Sequence, residues 1–62
     1  MTKTEAMKIM GLRKDDEIKA DGVRSLLKGV NEMLGVWSIS KYDRKDLEIE
    51  KEALETLLVY AN

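Results

Sequence analysis

Catalytic chemistry has few residues to draw on in this sequence. Nucleophilic and acid–base catalysis near neutral pH rely largely on Cys and His, and the 62-residue chain contains neither. Ser25 and Lys28 have the Ser-x-x-Lys spacing of some acyl-transfer enzymes. Because no other part of that catalytic arrangement is present, we interpret the match as chance. We expect no catalytic residues and no enzymatic activity.

The carboxylates do not have the spacing of a known metal-binding loop. Residues 17–28 begin like a calcium-binding loop, but Lys19 stands where the third-position ligand belongs and Lys28 where the closing Glu belongs. The four glycines are separated, and none precedes the Lys-Ser or Lys-Thr pair of a phosphate-binding loop. We therefore expect no metal site and no cofactor.

The charge is nearly balanced, with 11 basic and 12 acidic residues and a net charge of −1. Residues 1–30 hold seven basic and five acidic side chains, whereas residues 31–62 hold four and seven. We interpret this contrast as two ordinary solvated surfaces. A dedicated nucleic-acid binder usually has a basic excess or a basic face, so nucleic acid is the less favoured class of partner.

One local pattern nevertheless points to nucleic acid. Residues 5–12 (EAMKIMGL) resemble the first helix and turn of excisionase-type helix-turn-helix domains, although Met7 stands where those domains usually have a small Ala. With a hairpin at residues 36–50 as a wing, the resemblance implies a small winged DNA-binding protein. The residues that would contact phosphates under this alternative are Lys8, Arg13, Lys14 and Lys19.

The clearest structural signal lies in residues 21–36, whose apolar side chains recur at helical spacing and predict an amphipathic central helix. The turn-prone pair Asp21-Gly22 predicts a break or kink near the start of this helix, and Gly35 is expected to end it. Small residues on one line predict a close helix contact or a dimer contact; they are Gly22, Ser25 and Gly29. The predicted buried face consists of Val23, Leu26, Leu27, Val30, Met33 and Leu34.

A shorter helix is predicted before the central one. Thr2 to Glu5 fits a capping box, and Gly11 followed by Leu12 is typical of a left-handed helix end. Two turns of helix are too short to be stable alone, so this helix must dock, and we expect it to dock on the central helix. Its predicted apolar face consists of Ala6, Met7, Ile9 and Met10.

The last third of the chain allows two interpretations. Residues 36–40 are strand-like and could pair with residues 47–50 in a hairpin. We prefer a linker that places Trp37 in the core, followed by a third helix, because several Glu residues lie among good helix formers. If that helix began at Lys41, acidic side chains would lie on its apolar face. Either it begins later, or its first turns extend beyond the core with an acidic strip.

Exposed aromatic and acidic residues in this third of the chain are the candidate partner-binding surface, because Trp and Tyr are enriched in binding hot spots. These residues are Trp37, Tyr42, Asp43, Asp46 and Glu50. We regard the core role of Trp37 as the stronger of its two interpretations.

Size sets the remaining expectations. A chain of 62 residues buries only about 60% of its unfolded surface, and without Cys it has no disulfide to add stability. We therefore expect one domain (1–62), an all-α fold of about three helices, and a homodimer. The N-terminal residues have no signal-peptide core and no stretch is long enough to span a bilayer, so we expect a cytoplasmic protein without membrane contact. The expected function is protein–protein interaction as a regulatory or accessory protein, such as those of phages, plasmids and other mobile elements.

Overall fold

The computed structural model describes residues 1–36 and 40–61, and these residues form three helices and no strand. The helices are α1 (Lys3–Ile9), α2 (Ala20–Leu34) and α3 (Lys41–Tyr60). The predicted all-α fold of three helices is confirmed. The α+β alternative is wrong, because residues 41–50 of its hairpin form the first half of α3.

Helix α1 has the two ends that the sequence predicts. At its start, the Thr2 hydroxyl accepts a hydrogen bond from the Glu5 amide at 3.2 Å. After its end, Gly11 has a φ of +71°, a left-handed conformation that glycine adopts easily. The Leu12 amide donates to the Met7 carbonyl at 2.8 Å. This bond belongs to the Schellman arrangement, which satisfies carbonyl groups at the end of a helix.

Helix α1 packs on α3 and not on α2, so the expected docking on the central helix is wrong within the described part of the chain. Ala6 of α1 and Ala53 of α3 are both completely buried, which indicates a close approach of the two helices. The connector at residues 10–19 puts Ile18 into the core. Ile9, which we expected on the buried face, is 41% exposed because so short a helix buries only one side.

Helix α2 begins two residues before Gly22 and continues through it, so the predicted break at Asp21-Gly22 is wrong. The Val23 amide donates to the Lys19 carbonyl at 3.0 Å, which closes the first helical turn around the turn-prone pair. The turn-prone pair Asp21-Gly22 therefore lies within the first turn of α2 and does not interrupt the helix. At the other end, Gly35 is the C-cap residue, as expected, but its φ of −76° is right-handed.

The apolar residues of α2 divide into a buried set and an exposed set. Val23 and Val30 are buried, whereas Leu26 and Met33 are 54% and 53% exposed. The predicted buried face is therefore too wide by these two residues. The side chains of α2 that pack on the core, and that we call the buried seam, are Val23, Leu27, Val30 and Leu34.

Helix α3 begins early, at Lys41. Hydrogen bonds of two side chains stabilise its first turn. The Ser40 hydroxyl accepts from the Asp43 amide at 3.2 Å. The Arg44 guanidinium donates to the carbonyl of Leu34 at 3.0 Å and to that of Val36 at 3.4 Å. Carbonyl groups at the end of a helix lack intrahelical partners, and a cation there also complements the helix dipole. Arg44 therefore joins the start of α3 to the end of α2.

We expect Arg44→Ala to lower the free energy of unfolding by about 1–2 kcal/mol, because two carbonyls lose a charged hydrogen-bond donor at a half-buried site. The control is Lys45→Ala, which removes an exposed cation from the same helical turn. Urea unfolding followed by circular dichroism measures both. Equal effects of the two substitutions would contradict the role assigned to Arg44.

Candidate functional site

The most unusual surface feature is a line of residues on α2 next to the buried seam. Gly22, Leu26, Gly29 and Met33 are all exposed, and their spacing of four, three and four residues places them on one side of the helix. We call these four residues the α2 stripe. Large apolar side chains that are half exposed on one line indicate a surface that can bury further area against another molecule.

The two glycines of the α2 stripe have open space above them. A Cβ atom added at Gly22 or at Gly29 meets no atom within 4 Å. Ser25, beside the stripe, is exposed as well. The predicted close helix contact at Gly22, Ser25 and Gly29 is therefore absent within the described chain. The alternative for these residues, a dimer contact, stays a prediction.

At the N-terminal end of the α2 stripe lies an apolar depression between the helices. Gly22 and Leu26 line it from α2, and Leu54 and Leu57 line it from α3. Lys19 and Glu17 from the connector stand at its edge; the remaining lining residues are Met10, Leu12, Ile18 and Val23. This end of the stripe therefore offers apolar contact with a charged border.

At the other end of the α2 stripe, Met33 shares a second depression with acidic residues of α3. Asp43, Asp46 and Glu50 line it together with the buried Leu47. The structure thus brings together three of the five residues predicted to bind a partner; we call these three carboxylates the acidic row. In the described part of the chain no basic side chain forms an ion pair with them.

Tyr42, one of the two aromatic residues of the predicted partner surface, does not join this site. Tyr42 is 83% exposed and lies in a different depression, with Lys41, Arg44, Lys45 and Glu48. Trp37 lies outside the described residues. Tyr42 is therefore separate from the acidic row.

The basic residues of the DNA-binding alternative are exposed but spread out. Lys8 and Lys14 line one depression beside α1, whereas Lys19 lies at the α2 stripe. The Arg13 amide donates to an Asp16 carboxylate oxygen at 2.7 Å, within the connector. A helix-turn-helix joins its helices by a turn of about three or four residues. Here ten residues separate α1 from α2, so the arrangement that the resemblance implies is not formed by these two helices.

Across residues 1–36 and 40–61, no group of three or more His, Cys, Asp or Glu side chains could hold a metal ion. No helix in those ranges is long and apolar enough to cross a membrane. Comparisons with protein-family models, with curated proteins and with solved structures found no match for this chain.

Sequence reasoning missed the outward position of Leu26 and Met33, although the spacing carries a signal. The buried seam and the α2 stripe each follow the four, three, four spacing of a helix-packing seam, and they are offset by one residue. A single helix neighbour covers only one such seam. Two adjacent seams on one helix therefore predict two neighbours, of which α3 is one.

Substitution of Gly29 tests whether the space above the stripe is open in the isolated chain. We expect Gly29→Ala to raise the free energy of unfolding by about 0.5–1 kcal/mol, because Ala is the better helix former and its Cβ meets nothing. Gly11→Ala should lower it by about 1 kcal/mol, because Gly11 has a left-handed φ. Chemical unfolding in dilute solution measures both. Destabilisation by Gly29→Ala under these conditions would mean that the site is already filled.

Proposed function

We propose that this protein is a small, non-enzymatic regulatory or accessory protein that acts by binding another protein chain. The observation that carries this proposal is the position of the half-exposed Leu26 and Met33 on one line, with the acidic row beside Met33. The proposal includes a cytoplasmic location. Service to a phage, plasmid or other mobile element also belongs to it, and rests only on the small size of the chain.

Apolar contact supplies the main energy for such binding. Complete burial of a Leu or Met side chain contributes about 1.5–3 kcal/mol, and Leu26 and Met33 have about half of that burial still to gain. Met is flexible enough to fit varied partner surfaces. The two glycines between and beside these residues leave the helix backbone open to close approach. The α2 stripe therefore has the properties of a helix-binding surface.

The acidic row adds selectivity. Charged groups at the border of an apolar surface increase the rate of encounter with oppositely charged partners and disfavour the others. Because Asp43, Asp46 and Glu50 have no ion-pair partner within the described chain, they are available to a basic residue of the bound molecule. The proposed surface thus favours a partner with apolar side chains next to Lys or Arg.

A photo-activated cross-linking residue at position 25 tests the proposal in the native host cell. We expect covalent adducts with protein, because Ser25 is exposed beside the stripe and a cross-linker there leaves the space above Gly22 and Gly29 open to the bound molecule. The matched control carries the same cross-linker at Asn31, which is exposed on the opposite side of α2. Gel electrophoresis and mass spectrometry measure the adducts.

The double variant Asp43→Lys and Asp46→Lys should reduce the adducts formed at position 25, because it reverses charge beside Met33. Glu48→Lys with Glu55→Lys changes the net charge equally on residues outside that depression, and should leave the adducts unchanged. Circular dichroism confirms that each variant is folded. Equal yields at positions 25 and 31, or no adduct at all, would count against binding through this surface.

DNA binding is the alternative function, and it rests on the resemblance of residues 5–12. Lys8 and Lys14 lie close enough to share a depression, but the net charge of the chain is −1. Electrostatic binding is strongest at low salt. We expect no retardation of duplex DNA in a gel shift at low salt. Retardation that is lost in Lys8→Ala with Lys14→Ala, and retained in Lys41→Ala with Lys45→Ala, would establish the alternative.

A further inference from the structure

Small and large residues alternate along the α2 stripe, and their spacing is the same from either end of the helix. From the N-terminal end the residues are Gly22, Leu26, Gly29 and Met33, with a spacing of four, three and four. Read backwards, the spacing is the same, and each small residue changes place with a large one. A two-fold axis perpendicular to α2, midway between Leu26 and Gly29, therefore sets every large side chain opposite a glycine.

We propose that the molecule bound by the α2 stripe is a second copy of this chain, with the two α2 helices antiparallel; this inference rests on the proposed function. Leu26 packs over the partner's Gly29, and Met33 packs over the partner's Gly22. Closed two-fold contacts of this kind are the commonest in soluble oligomers. A parallel pair in register is disfavoured, because it sets Leu26 against Leu26 and leaves the space at both glycines empty.

The shape of the surface at each glycine supports this register. A Cβ atom meets nothing within 4 Å at Gly22 or at Gly29, so each position offers a gap on the exposed side of the helix. Leu26 and Met33 are each about half exposed and provide the matching projections. Projections that fill gaps on a facing helix are the basis of helix packing. One chain therefore provides both the projecting side chains and the gaps that this register needs.

Charge complementarity favours the same arrangement. The two-fold axis places the Met33 end of one stripe over the Gly22 end of the other, and it keeps both α3 helices on the same side of the contact. Asp43 and Asp46 border Met33, whereas Lys19 borders Gly22 and faces the α3 side. The partner's Lys19 thus approaches the acidic row, and this happens twice in the dimer. Glu17 also borders Gly22, and residues 13–19 of the connector carry three basic and three acidic side chains.

Disulfide trapping tests the register directly, because the natural chain has no Cys. Gly22→Cys and Met33→Cys are prepared as separate chains, mixed and oxidised mildly. We expect the mixed disulfide to exceed either self-disulfide at least five-fold, since the two positions meet only across the antiparallel contact. Intact mass spectrometry distinguishes the products. An excess of Gly22→Cys or Met33→Cys self-disulfides would overturn the proposed register.

Sedimentation equilibrium tests the dimer itself. We expect the wild type to approach twice the chain mass of 7.1 kDa and Leu26→Lys to weaken association at least ten-fold. Asn31→Lys, on the opposite side of α2, should have no such effect. Lys19→Glu and Asp46→Lys should each weaken the dimer, and the double variant should recover it. Failure of this recovery would overturn the ion pair across the contact.

The results also separate this inference from the proposed function. A wild type that is monomeric at millimolar concentration, with adducts between position 25 and other proteins, would overturn the self-association and support the proposed function. A monomer without any adduct at position 25 would overturn both. Adducts at position 25 with the mass of two chains support both.

Discussion

The fold depends on the packing of both shorter helices against one long helix, α3. Leu54 and Leu57 are each 1% exposed and are the largest fully buried side chains in the described part of the chain. On one side α3 packs against α1, and Ala53 of α3 and Ala6 of α1 are both completely buried. On another side α3 meets the buried seam of α2. Because α1 and α2 touch α3 and not each other, α3 determines where both of them lie.

This dependence on α3 leaves much of α2 uncovered. A third helix packed on both others would cover more of α2, but α1 is only seven residues long and lies elsewhere on α3. The described residues measure about 37 × 20 × 15 Å, an elongated shape with a high ratio of surface to volume. Leu26 and Met33 remain half exposed for this reason. The surface we propose for binding is thus a consequence of how the three described helices are arranged.

Features that depend on adjacent residues could be predicted from the sequence. The Thr2 cap and the left-handed Gly11 each involve a few neighbouring residues, and both are present as expected. Features that depend on distant residues could not. The start of α3 at Lys41 is stabilised by Arg44 reaching two carbonyls near the end of α2, and no local pattern indicates that reach. The docking of α1 on α3 likewise joins parts of the chain that are distant in sequence.

The candidate site likewise has some features that could be predicted from the sequence and others that could not. Asp43, Asp46 and Glu50 follow helical spacing, so their grouping could be predicted once a helix was assumed. Their position beside Met33 could not, because it depends on the antiparallel pairing of α2 and α3. The apolar residues of α2 cover a wide arc of the helix surface. The width of that arc alone does not indicate that it comprises two adjacent seams. Only the position of α3 reveals which seam is buried and which is exposed.

The most direct test of the account is an isotope-filtered nuclear Overhauser experiment on a mixture of labelled and unlabelled chains. We predict intermolecular contacts from the Leu26 methyl groups to the Gly29 Hα atoms, and from the Met33 methyl group to Gly22. These contacts should be absent in Leu26→Lys. A concentrated sample that shows no intermolecular contact at these four residues, or that shows Met33 in contact with the Met33 of the other chain, would contradict the account.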